Sequence, residues 1–181
     1  GLALCNRFLD AGYRVAILAR DLKRLKGYAA VDDNIHPFAC DFVDPDVIKS
    51  TFNQIHQQLG PVNVLAYNVG SGLFGAPLDV SLDDFELAWR ISALGLLAAT
   101  QTIAPPMIEN GGGSILVTGA TASLRGGANF GAFAAAKAAQ RSLCQSLARS
   151  LGKEGIHVSL VIIDGVVDLP RTREHQPEKP D

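Results

Sequence analysis

"NIHPFACDFVDPDVIKSTFNQIHQQLGPVNVLAYNVG", residues 34–70, changes its periodicity twice. Residues 34–40 are a short apolar strand. Asp44-Pro45 then opens a helix, because proline at the first helical position lacks only an N–H that the first turn leaves unbonded. Gly60 closes that helix, and residues 62–67 return to a strand that runs into a turn at Asn68–Gly70. Strand, helix and strand in this order read as a parallel βαβ unit.

The pattern repeats outward. "LALCNRFLDAG" (2–12) is an amphipathic helix closed by Gly12, and "YRVAILA" (13–19) after it reads as a buried strand. Downstream, Ser81 is a helix N-cap with Asp84 at N3, a near capping box that opens a long helix over 81–109. "SILVTG" (114–119) is a strand, 129–152 a second long helix, and "IHVSLVIIDG" (156–165) a final strand. The expected fold is α/β: a doubly wound parallel sheet, Rossmann-like, in a single domain over 1–181. Such a fold centres on a strand that precedes the first helix. Here Gly1 stands directly before that helix, and the last residues, "DLPRTREHQPEKPD", are polar where a further helix and strand are expected. The chain is therefore expected to be a fragment without those elements, with strands 13–19 and 62–67 separated by a slot one strand wide and not paired.

Composition narrows the function classes. With 48% hydrophobic and 19% charged residues, the 181 residues describe one soluble domain able to bury a core. A net charge of -2 without a dense basic block gives no footprint for nucleic acid or an anionic membrane. The apolar runs "ALGLLAAT" and "VSLVII" are shorter than the roughly 20 residues of a membrane helix. A small-molecule partner is expected. Cys5, Cys40 and Cys144 are widely spaced and read as reduced thiols of a cytoplasmic chain. His36, His56, His157 and His175 have no metal-site spacing, so no metal is expected.

Several motifs in order resemble the short-chain dehydrogenase/reductase family over Gly1 to about Pro170. "GLAL" is similar to the end of its TGxxxGxG turn, "CDFVDPD" to its adenine-contacting aspartate segment, and "YNVG" to its NNAG. "FAAAK" stands where the family has YxxxK, and "IIDGVVDLP" where it has PGxVxT. The resemblance implies a dinucleotide at the carboxyl ends of the strands, bound by Arg20, Asp41, Phe42, Asn68, Val69, Gly70, Lys137, Gly165 and Val167. Arg20 ends the second strand of such a fold, where an arginine meets the 2′-phosphate of NADP and an acidic residue would bind the ribose of NAD. NADP is thus expected, with NAD possible. The alternatives are a solvated arginine at a helix start, a turn or N-cap role for Asp41, and a plain strand-end turn at Asn68–Gly70.

The catalytic positions depart from the family. Its tyrosine exchanges a proton with the substrate, and its lysine, one turn later, lowers the tyrosine pKa and holds the nicotinamide ribose. Those two places carry Phe133 and Lys137. A phenyl ring neither donates a hydrogen bond nor titrates. The family's serine position falls on Ala120, its helix asparagine on Ser92, its PGxVxT proline on Asp164 and its threonine on Leu169. Thr118, Thr121 and Ser123 flank Ala120; Thr121 is the candidate substitute beside Lys137, and each hydroxyl can instead satisfy the local turn. The chain is expected to be an NAD(P)-dependent oxidoreductase with altered proton delivery, acting on a carbonyl, an alcohol or an activated C=C bond. The alternative is a non-catalytic dinucleotide-binding sensor or scaffold. The two long helices are apolar on more than one face, and a homodimer or homotetramer through them is expected.

Overall fold

The computed structural model describes residues 1–165 and 167. Leu169, His175 and the rest of the polar C-terminal stretch lie outside the described residues. Helices and strands alternate: α1 (Leu2–Asp10), β1 (Val15–Ala19), α2 (Leu22–Ala29), β2 (Ile35–Ala39), α3 (Pro45–Leu59), β3 (Val64–Tyr67), α4 (Leu82–Trp89), α5 (Gly95–Glu109), β4 (Gly113–Ala120), α6 (Gly131–Leu151) and β5 (Ile156–Ile163). A π-helical turn, Arg90–Leu94, joins α4 to α5.

The start signals act as their chemistry requires. The Asp44 carboxylate accepts from the N–H groups of Asp46 and Val47, with Pro45 opening α3, and Gly60 ends it at φ 83°. The Ser81 hydroxyl accepts from Asp84 N at 3.0 Å and donates to Asp84 Oδ2 at 2.9 Å. Helix α2, "LKRLKGYA", is not among the elements expected from the sequence; it is short, carries an interior glycine and buries only Leu25, and Asp21 caps it by accepting from Arg24 N.

Two parallel sheets form, one of β1 and β2 and one in the order β3-β4-β5. As expected, β1 and β3 are not paired with each other among the described residues. One core joins both sheets to α3, α5 and α6, through Phe38, Ile48, Phe52, Leu65, Tyr67, Leu96, Ile103, Ile115, Cys144 and Ile156. Along β3 and β4 alternate residues are buried, so one face is closed by this helix layer. The reading of 13–19 as a buried strand needs correction: every residue of β1 is half-buried. Among the described residues β1 has a strand on one edge only, and its Ala16 and Leu18 pack only at the margin of the core.

The continuous helical run Leu82–Glu109 is long and apolar enough to cross a membrane by length and composition, which the short apolar runs alone did not suggest. It serves as a core helix, with Ala88, Leu96, Ala99, Ile103 and Met107 buried. Gly95 makes this packing possible, because a Cβ there would lie 2.6 Å from both the Phe42 carbonyl and the Tyr67 hydroxyl. The helix therefore sits hard against the carboxyl ends of β2 and β3.

Candidate functional site

Within each sheet the strands run parallel, so the residues that follow them gather at common edges. Arg20 and Cys40-Asp41 follow the paired ends Ala19 and Ala39. Asn68–Gly70 follow β3, Thr121 follows β4, and Asp164-Gly165 follow β5, whose Ile163 pairs with Ala120. Phe42 packs edge-on against Tyr67 with ring centroids 5.5 Å apart, which brings the carboxyl ends of β2 and β3 together across the two sheets. A Cβ on Gly1 would stand 3.9 Å from Asn68 Nδ2, so the start of α1 meets the same edge.

Lys137 is the most constrained of the candidates. It is 5% exposed, and its amine donates to Thr118 O and to Gln140 Oε1, each at 2.9 Å. A Cβ on Gly70 would lie 3.9 Å from its Nζ, which puts the amine at the turn after β3. Burial penalises the ammonium and lowers its pKa from 10.5 to about 8. Cys144, further along α6, is pushed up to about 11, chiefly by burial, and stays a neutral thiol. Gln140, wholly buried, links Lys137 to the π turn by donating from Nε2 to Ser92 O at 3.0 Å.

Phe133, one turn before Lys137, belongs to an aromatic trio. Its ring centroid is 5.0 Å from Phe74 and 6.0 Å from Phe130, and those two are 5.4 Å apart. The trio is held by backbone pairing between the 70s loop and the start of α6: Gly75 N donates to Asn129 O and Gly131 N to Gly75 O. Phe74 and Phe130 remain 58% and 40% exposed, so this end of the site is apolar and open.

The other candidates are less committed. Arg20 and Asn68 are exposed and Val69 is half-buried. The Asp41 carboxylate accepts from Val43 N at 3.1 Å, the turn role weighed against adenine binding. Thr121 donates toward Ile163 O at 3.1 Å and Asp164 Oδ1 at 2.8 Å, so its hydroxyl is directed at the end of β5. Ser123 is buried and its hydroxyl has no partner among the described residues. Gly165 and Val167 are exposed beyond β5. The edge suits a dinucleotide: a buried ammonium beside a side-chain-free glycine, an exposed arginine and an aromatic beside Asp41. Sequence reasoning missed Gln140, Phe74 and Phe130. Residues 133, 137, 140 and 144 share one face of α6, a polar-in-alanine spacing that could have pointed to Gln140.

The family model for short chain dehydrogenases matches residues 1–180. A protein of Sinorhizobium fredii named as an uncharacterized short-chain type dehydrogenase/reductase, y4mP, is 32% identical over 168 residues, covering 89% of this chain and 66% of that protein. The human 3-oxoacyl-(acyl-carrier-protein) reductase is 26% identical over 179 residues, covering 98% of this chain and 75% of that protein. The crystal structure of a short-chain dehydrogenase from Streptomyces avermitilis superposes with a TM-score of 0.87 at 25% identity, over 94% of this chain and 63% of that one. The chain thus spans about two thirds of the length of these proteins. On the match of nearly its whole length, this chain belongs to the short chain dehydrogenase family.

Proposed function

We propose that the protein is an NAD(P)-dependent oxidoreductase of a small organic substrate whose proton delivery differs from the family pattern. The observation that carries this reading is the buried amine of Lys137, held by Thr118 O and Gln140 and bordered by Gly70. A buried ammonium costs stability, and its retention here fits a role in binding the nicotinamide ribose. Arg20 would take the 2′-phosphate of NADP, Asp41 and Phe42 the adenine end, and Asn68, Val69, Gly70, Gly165 and Val167 the walls of the cleft. The cofactor supplies hydride chemistry when bound. The chain supplies orientation and a proton, and Phe133 cannot give one. Lys137 and Thr121 are the groups we assign to that task, and the reductase name of the human relative supports a carbonyl substrate.

The non-catalytic sensor or scaffold is favoured by one observation, the loss of both hydroxyls at Phe133 and Ala120. The test is NADPH oxidation by the full-length protein against a panel of small carbonyls, alongside Phe133→Tyr with Ala120→Ser. The double variant is expected to raise carbonyl reduction about 10²-fold with little change in NADPH affinity. No turnover in either protein would favour the sensor. Efficient reduction by the wild type that the double variant leaves unaltered would show that proton delivery never depended on these positions.

The groove lined by Trp89, Ala93, Leu94, Leu97, Ala139 and Leu143, between the two long helices, is the surface we assign to a homodimer or homotetramer contact. The three free, buried cysteines fit a cytoplasmic protein.

A further inference from the structure

We infer that Gln140 is a positioning residue that fixes the exchangeable proton of Lys137 on the cleft side of its amine, so that Lys137 serves as the proton donor that Phe133 cannot be. The last clause rests on the oxidoreductase reading; the positioning does not.

The orientation of the Gln140 amide is set from its far side. Its Nε2 lies 3.0 Å from Ser92 O, a carbonyl that can only accept, so the amide nitrogen must face the π turn. Its Oε1 is thereby turned to Lys137 Nζ at 2.9 Å. The second partner of the amine, Thr118 O, is also an acceptor only. An ammonium has three N–H bonds; a neutral amine has two and a lone pair. Two acceptor-only partners demand N–H bonds in both states. The third tetrahedral position is therefore the one that gains and loses the proton, and Gly70, whose Cβ would lie 3.9 Å from Nζ, brings no side chain of its own to the amine.

The charge environment leaves this proton available. On α6 the titratable neighbour is the neutral thiol of Cys144. From β3, Tyr67 gives its proton to Ile91 O. From the π turn, Arg90 is engaged by Glu86 and by Val43 O. Beyond β5, Asp164 accepts from the Thr121 hydroxyl. No carboxylate among the described residues is bonded to the amine, and with a pKa of about 8 both protonation states are populated near neutral pH. With a reduced nicotinamide bound, the hydride to the carbonyl carbon would be the cofactor's contribution, and the carbonyl oxygen would take the cleft-side proton of Lys137. The neutral amine is then reprotonated from water.

The test uses full-length protein with ¹³C-labelled lysine, following the εCH₂ signal of Lys137 against pH and assigning it by its loss in Lys137→Arg. The wild-type signal is expected to titrate near 8. Gln140→Met keeps the volume but removes an acceptor from the ammonium, and should lower the midpoint by about one unit or more. Gln140→Glu places an anion there and should raise it. The inflection in kcat/KM for carbonyl reduction should move in the same two directions. An unmoved Lys137 titration in both variants overturns the positioning role; if Gln140→Met does not fold, an unmoved titration in Gln140→Glu does so by itself. A titration that moves while the kinetic inflection stays fixed overturns Lys137 as donor. Titrations that move as expected in a protein without any turnover support the positioning and sink the oxidoreductase reading.

Discussion

The two ends of the strand-edge cleft are built differently. Around Lys137 the polar groups are buried and satisfied by one another: Thr118 O, Gln140 and Ser92 O form a closed set. Around Arg20 the surface is open, the arginine is exposed, and the carboxylate of Asp41 holds its own turn. One end is organised in the free protein; at the other, Arg20 would gain its partners only from a bound ligand. Preorganisation of the first kind carries a standing cost in stability, because an ammonium has been taken out of water. Flexibility of the second kind carries a cost in affinity, since the arginine must be ordered on binding.

The largest expected effect tests that standing cost. Lys137 has a folded pKa of about 8 against 10.5 in a free chain. Between those values the unfolded state binds more protons, so unfolding free energy rises with pH there, while below 8 the penalty is fully present. The full-length wild type should gain about 3 kcal/mol relative to Lys137→Met between pH 8 and 10.5. Urea unfolding at a series of pH values measures it, and parallel curves for the two proteins would mean that the amine is not buried in solution.

The open end gives a smaller effect. Arg20→Asp should weaken NADPH about tenfold or more while changing NADH far less, since it removes a phosphate partner and adds repulsion. Equal losses for both cofactors would reject NADP as the preferred one.

The smallest effect sharpens the closed end. Ser92 is 1% exposed and its hydroxyl has no partner among the described residues, while its carbonyl accepts from Gln140. Ser92→Ala should change stability by no more than about 0.5 kcal/mol and leave the Lys137 titration in place. A marked loss would show that the hydroxyl, rather than the backbone, holds the set together.

The same contrast separates what the sequence reveals from what it hides. The βαβ order, the caps at Asp44 and Ser81 and the strand-end residues are legible, because each depends on neighbours a few residues away. Family motifs added Lys137. The half-burial of β1 was not legible, since an apolar run says nothing about how many sides are covered. Nor was the closed polar set: Gln140 and Ser92 are 48 residues apart and meet only because α6 packs against the π turn. Phe74 and Phe130 join Phe133 by a loop-to-helix pairing that no periodicity announces.

The central claim is that a dinucleotide cleft is retained around Lys137 although Phe133 cannot transfer a proton. Its most direct test is equilibrium titration of the full-length wild type and of Lys137→Met with NADPH, followed by nicotinamide fluorescence at pH 7. Saturable binding by the wild type, weakened at least about tenfold in Lys137→Met, is the predicted result. Equal affinity in the two proteins, or no binding by the wild type, would contradict it.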